Sequence, residues 1–137
     1  MAANLLAFIQ FDDNTPDDRT PFTNEPNLWS LEWDYGLWGC KDYAFIGAIS
    51  GVRSKDGKPP LIPLRGCPVS FRPPRRELQD EPFVGFLTHS EVVRCLQYHS
   101  IPSEALHPSV QNLMAVLVLL SKSYGDERVR LVFSIVE

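Results

Sequence analysis

The chain is poor in the residues that build metal sites and covalent cross-links. It carries three cysteines, Cys40, Cys67 and Cys95, and no CxxC or Cys/His pair at metal-ligand spacing, which argues against a structural zinc site. An odd, scattered set fits free thiols in a reducing compartment better than a disulfide framework. Long apolar runs are missing too. The longest, Leu113–Leu120, is far short of the ~18–20 residues of a membrane span. The opening MAANLLAFIQF has no basic region before its apolar residues, so it does not read as a secretory signal, and the expected location is the cytoplasm. There is no P-loop, dinucleotide-binding glycine fingerprint, HExxH, GxSxG or kinase signature, and no internal repeat.

What is present suits one domain with one hydrophobic core: 137 residues, 44% apolar and 22% charged. The net charge of -4 hides an asymmetry. Asp12 to Asp34 holds seven acids and one base, Arg19. Arg53 to Arg76 holds seven bases (Arg53, Lys55, Lys58, Arg65, Arg72, Arg75, Arg76) and one acid, Asp56. Three readings follow: a solvated loop, a site for an anion or acidic partner, or two segments that neutralise each other across the fold.

In chain order, Leu5–Phe11 reads as a buried strand. Asp12 to Asn27 has loop chemistry. Leu28–Trp33 and Tyr35–Trp38 suggest one or two strands, with Leu28, Trp29, Leu31 and Trp33 partly buried. Asp42–Val52 follows a helical period, with Gly47 allowing close packing and Gly51 as the stop. Arg53 then lies just past the helix end, where the dipole favours a cation. Ser54 to Pro82 contains seven prolines, so helix is excluded over most of it; Asp56-Gly57 is a turn and Pro59–Leu64 extended. Phe83–Leu87 reads as a short apolar approach to a helix. Thr88-His89-Ser90-Glu91 is a capping box opening that helix, which runs to about Tyr98 with Val92, Val93, Cys95, Leu96 and Tyr98 on its apolar side. His107-Pro108 opens a last helix to Tyr124, stopped by Gly125, whose centre is apolar all round and therefore expected to be buried. Val129–Val136 is the final strand, with Val129, Leu131, Phe133 and Ile135 inward and Arg128, Arg130 and Ser134 outward. The order predicts an α+β domain over residues 1–137: a small, mostly antiparallel sheet packed by about three helices, the first and last strands neighbours, with a long proline-rich basic loop. Cys95 is expected in the core, and Cys40 and Cys67 flank the central stretch closely enough to be candidates for meeting in space.

The histidines each have a structural explanation: His89 in a capped first turn, His99 after a helix end, His107 at a helix entry. Asp34 and Asp42 are candidate carboxylate partners for a histidine, though no spacing demands it. The stronger constellation is Arg53, Arg65, Gly66, Tyr43, Trp38 and Lys58. Arginine presents a planar fork that matches phosphate or carboxylate. Gly66 lets backbone amides approach a ligand, and the nearby aromatics Tyr35, Trp38 and Tyr43 are candidates to stack on a base or cap an apolar group.

Lys41-Asp42-Tyr43, Phe45, Ile49, Gly51-Val52-Arg53, then Pro63, Arg65-Gly66 and Pro68, and the ending Asp126–Phe133, resemble a group of small uncharacterised accessory proteins of tailed bacteriophages. The likeness covers roughly half the chain. It departs at Thr88-His89-Ser90, where the group has a longer His/Ser-rich stretch and a tryptophan, so it assigns no role to His89. The resemblance implies a counter-defence role: binding a nucleotide signal, or blocking a host protein. Joined to the arginine loop, it leads to the expectation of a non-catalytic protein that sequesters an anionic, nucleotide-like ligand, without metal or cofactor. The alternatives are an inhibitor or adaptor that binds a host protein through its charged loops, and a phosphoester hydrolase using His89. Membrane and nucleic-acid partners are not expected; a homo-oligomer is compatible with the sequence.

Overall fold

The structure, a computed structural model, describes residues 3–13, 28–32, 42–68 and 83–136. Two near-continuous apolar segments form its centre. Strand β1 (Asn4–Asp12) pairs antiparallel with β4 (Val129–Val136), in register from Asn4 opposite Val136 to Phe11 opposite Val129. Strand β2 (Leu28–Glu32) flanks β1 and β3 (Val84–Leu87) flanks β4, giving an antiparallel sheet of order β2-β1-β4-β3. The first and last strands are neighbours, as expected. The Phe83–Leu87 segment is not merely an approach to a helix. Four of its residues complete the sheet, which a run this short does not announce.

Leu5, Ala7 and Ile9 share one face with Val129, Leu131, Phe133 and Ile135, and all are buried against the helices. The opposite face carries Phe8, Gln10, Arg130, Val132 and Ser134. Here the expectation that Arg130 and Ser134 point to solvent is corrected: Arg130 is 9% exposed and Ser134 is fully buried. Both faces of the central strands are covered, so period-2 alternation separates two interiors rather than inside from outside. Arg130 Nε donates to Gln10 Oε1 across the strands at 2.6 Å, and its guanidinium lies 5.1 Å from the centre of the Phe86 ring. Burial pulls its pKa down to about 10, opposed by Cys67; it stays charged at neutral pH. Asp12, also buried, stands 4.0 Å from Arg128.

Three helices cover the first face. Helix α1 (Tyr43–Ser50) begins at Asp42, whose carboxylate accepts from the Phe45 amide, and ends at Gly51 with φ 81°. Gly47 is needed for packing, since a Cβ there would come within 2.8 Å of the Ser54 Cα. Helix α2 (His89–Tyr98) opens on the expected capping box, with Thr88 and Glu91 each bonding the other's amide. It buries Val92, Cys95 and Leu96, but Tyr98 is exposed rather than part of the apolar side. Helix α3 (Pro108–Tyr124) is capped by His107 and closed by Gly125. It was expected to be buried all round; instead Val110, Leu113 and Leu117 are buried while Ala115 is exposed and Leu119 is 63% exposed. Trp29, expected to be partly buried, is 55% exposed, and its indole donates to Asp13. Expectations for Leu28, Leu31 and Trp33 side chains, for Tyr35–Trp38, Cys40, Asp34 and Arg72–Glu81 lie outside the described residues. Among the described residues, no helix is long and apolar enough to cross a membrane.

Candidate functional site

The basic loop is built against α2. After Gly51 the chain turns through Arg53 and Asp56, both at positive φ, and a short 3-10 turn at Lys55–Gly57. Ser54 Oγ closes the turn by donating to the Lys58 carbonyl. Gly51 permits this return: a Cβ there would meet the Pro60 ring at 2.8 Å. From Lys58 the segment runs antiparallel to α2 and is anchored to successive turns of it. Lys58 Nζ donates to the Tyr98 carbonyl at 2.6 Å and sits 4.2 Å from the centre of its ring. The Ile62 backbone lies beside the Cys95 thiol, whose pKa burial raises and this neighbour opposes. Arg65 grips Glu91 with both nitrogens, Nη1 to Oε1 at 2.8 Å and Nη2 to Oε2, and Nη1 also donates to the Phe86 carbonyl at 3.2 Å. Residues 91, 95 and 98 share one helical face. The Gly66 amide then donates to the Val84 carbonyl at 2.9 Å, tying the segment to β3.

The anchoring sorts the side chains by period. Pro60, Ile62 and Leu64 are half-buried; Pro59, Leu61 and Pro63 between them are exposed, Leu61 at 40%. Three prolines with φ fixed near -65° stiffen this ridge and reduce the freedom lost when it is held in place.

The expected ligand-binding residues are therefore not gathered around one phosphate. Arg65 is already bidentate to Glu91, and the Gly66 amide is bonded within the fold. Lys58 and Arg65 are fixed to residues seven apart on α2, about 10 Å at the rise of a helix. Tyr43 and Arg53 do come together: the exposed guanidinium lies 5.2 Å from the centre of the half-buried ring. Trp38 lies outside the described residues. Sequence reading identified Glu91 as a capping residue but missed its second role, because a partner 26 positions away leaves no local signature.

The Arg65 guanidinium, with help from the Thr88 hydrogen bonds, holds the Glu91 carboxyl below the usual carboxylate range, and Glu91 in turn raises Arg65. A carboxylate with a depressed pKa contributes stability that is fully present above the ordinary carboxylate range and lost as pH falls through its folded value. Glu91→Gln keeps a capping side chain but removes the charge. It is expected to cost about 1 kcal/mol near neutral pH, since the pair is partly solvated, and to speed hydrogen exchange at the Gly66 amide. Thermal midpoints of parent and variant, measured from neutral to acid pH, should converge as Glu91 protonates.

On its other side α2 forms a groove of about 640 Å³ with α3 and the segment joining them; its lining includes Val93, Leu96, Ile101, Leu106, Met114 and Val118, with His89 and Glu104 in its wall. Burial lowers the His89 pKa; nearby Asp126 opposes this and Lys122 reinforces it. Asp126 is bonded to the Ser90 amide and hydroxyl. Asp42, considered as a histidine's carboxylate partner, instead uses its two oxygens on the Phe45 and His107 amides. At the end of α2, burial and the neighbouring Lys58 lower the His99 pKa, opposed by the Pro59 backbone, and Nε2 is buried without a hydrogen-bond partner. His107 accepts the Ser109 amide through Nδ1, as a helix-entry residue. Among the described residues, no group of His, Cys, Asp and Glu is placed to hold a metal ion. The described residues thus present an anchored, exposed ridge on one side of α2 and a largely apolar groove on the other.

Comparison with protein-family models, with curated proteins and with solved structures finds no match to this chain.

Proposed function

We propose that this chain is a non-catalytic binding protein that docks on a partner protein through the Pro59–Leu61–Pro63 ridge, acting as an inhibitor or adaptor. The observation that carries the reading is the anchored alternation of the loop: Lys58 and Arg65 are fixed to α2 and the Gly66 amide to β3, Pro60, Ile62 and Leu64 are half-buried, and Pro59, Leu61 and Pro63 face outward. A preordered extended segment binds with little further loss of conformational freedom, and proline-rich ridges fit aromatic-lined grooves. Lys55, exposed at the entrance of the ridge, favours a partner with an acidic rim beside that groove. The phage accessory proteins that the sequence resembles make a bacterial host protein the first partner to seek.

The test is a cross-linking pull-down from bacterial lysate, quantified by mass spectrometry, with parent, Leu61→Asp and Lys55→Glu proteins at low and high salt. A protein retained by the parent should be weakened about 30-fold or more by Leu61→Asp, the loss typical of a central contact. Lys55→Glu and added salt should weaken it less. Equal capture by parent and Leu61→Asp would remove the ridge from the interface.

The Tyr43–Arg53 pair favours a second reading, the anionic nucleotide-like ligand, because it sets an arginine of an exposed residue position beside an aromatic ring, the two groups that recognise phosphate and base. Protein purified from cells making defence nucleotides, then denatured to release small molecules, should yield an intact nucleotide that Arg53→Ala fails to retain. A hydrolysed product would shift the reading to the phosphoester hydrolase.

A further inference from the structure

Both ends of the ridge are held on α2 by contacts that a proton can disrupt. At the C-terminal end of the helix, Lys58 Nζ donates to the Tyr98 carbonyl at 2.6 Å and lies 4.2 Å from the centre of the Tyr98 ring. The His99 ring stands edge-on to Tyr98, with 5.2 Å between ring centres, and its neighbours from the loop are Lys58 and the Pro59 backbone. His99 Nε2 is buried and has no hydrogen-bond partner. A neutral imidazole fits that place, because one of its nitrogens carries no proton. An imidazolium does not. Both its nitrogens donate, so a charged ring would lie beside an ammonium with a buried N–H that finds no acceptor. At the N-terminal end, Glu91 accepts from both Arg65 Nη atoms and from the Thr88 amide, with Arg94 of its own helix 3.9 Å away. Once protonated, Glu91 loses the charge that holds Arg65. Between the two ends, Pro60, Ile62 and Leu64 are half-buried.

We propose that the ridge is an acid-released strap, with His99 as the trigger at its Lys58 end and Glu91 as the trigger at its Arg65 end. Release lets the His99 ring reach water and takes Lys58 away from it. The released state therefore binds the proton more tightly, and the held state loses stability as pH falls below about 6.5, the ordinary histidine value. Burial and Lys58 lower the His99 pKa in the held state, and the Pro59 backbone opposes them. Glu91 acts in the same direction at lower pH. Arg65 first, then Thr88, hold its carboxyl below the usual carboxylate range against the effect of burial. That contribution is lost as pH falls below about 4.3. The strap thus opens from its Lys58 end first. Its inward apolar residues do not titrate, so the ends loosen without unfolding the domain. The release itself does not depend on what the ridge does; that acid would shed a docked partner rests on the docking reading.

Solution NMR of the full chain alone, from neutral to acid pH, tests this. The His99 ring should titrate below about 6.5. The Lys58 ε-methylene resonances, displaced by the Tyr98 ring, should move toward their ordinary positions along the same curve. Protection of the Gly66 amide, corrected for the intrinsic pH dependence of exchange, should hold through that transition and fall as Glu91 protonates. Lys58→Gln should move the His99 midpoint up toward the ordinary value. His99→Gln, neutral at every pH, should keep the Lys58 contact through the histidine range. Glu91→Gln should remove the later step, with Gly66 exchange already about fivefold faster at neutral pH. A His99 midpoint at or above the ordinary value, a midpoint unmoved by Lys58→Gln, or a His99→Gln protein that still frees Lys58 in the histidine range would each overturn the proposal. No partner enters the measurement, so its outcome stands apart from that of the pull-down.

Discussion

Phe133→Ala is expected to destabilise the domain by about 3–5 kcal/mol, the usual cost of removing a fully buried aromatic side chain. Since a domain of this kind has roughly 5–15 kcal/mol in total, that is a large share of its stability. Phe133 is 1% exposed on β4, between Ala7 of β1 and Gly85 of β3. Its ring fills the space above Gly85, where a Cβ would come within 2.8 Å of the ring and 3.1 Å of Leu64. The ring, the glycine and the loop residue are thus one packing unit, and the ridge rests partly on it. A coupled result should follow. Gly85→Ala should destabilise the parent through the clash, yet cost much less in the Phe133→Ala background, where the space is open. Denaturant unfolding of the four proteins gives the cycle directly. Additive effects would mean that the contact between Gly85 and the ring does not limit the packing.

This packing unit shows where sequence reading succeeds and where it stops. Local signals were legible because local physics causes them. The capping box at Thr88 and Glu91, the left-handed stop at Gly51, the entry at His107-Pro108 and the close approach at Gly47 all arise within a few residues. The α+β architecture followed from the order of strands and helices, and the β1–β4 pairing was expected of the first and last strands. The misses are of another kind. Arg130 alternates like an outward residue, but the second face of the sheet is buried too, and a polar residue on a covered face looks like one on a wet face. The centre of α3 reads as buried because apolar composition does not say whether a neighbour is present. In the candidate site, the cations and the prolines were legible as a stiff charged loop. Their destinations were not: Arg65 on Glu91 and Lys58 on Tyr98 are joined by folding across 26 and 40 positions. That difference moves the reading from an open arginine clamp toward a loop whose cations fasten it and whose apolar ridge makes the contact.

Asp42→Ala is expected to cost about 2.5–4 kcal/mol, and its conservative partner separates the causes. Asp42 Oδ1 accepts from the Phe45 amide at 3.1 Å, capping α1, and Oδ2 accepts from the His107 amide at 2.8 Å, just ahead of α3. One carboxylate therefore caps one helix and fixes the approach to another, 65 positions apart. Losing a cap costs about 1 kcal/mol, and losing a hydrogen bond to a charged acceptor adds about 1.5–3 kcal/mol. Asparagine supplies one acceptor oxygen and two N–H donors. Asp42→Asn can keep the cap on Phe45 but cannot accept the His107 amide as well. It should recover roughly the cap's share, about 1 kcal/mol, and leave the rest lost. Hydrogen exchange then locates the damage. The His107 amide should exchange faster in both variants, while the Phe45 amide should be protected in Asp42→Asn and exposed in Asp42→Ala. An asparagine variant as stable as the parent would show that the bond to His107 contributes little, and that the position of α3 depends on its buried face alone.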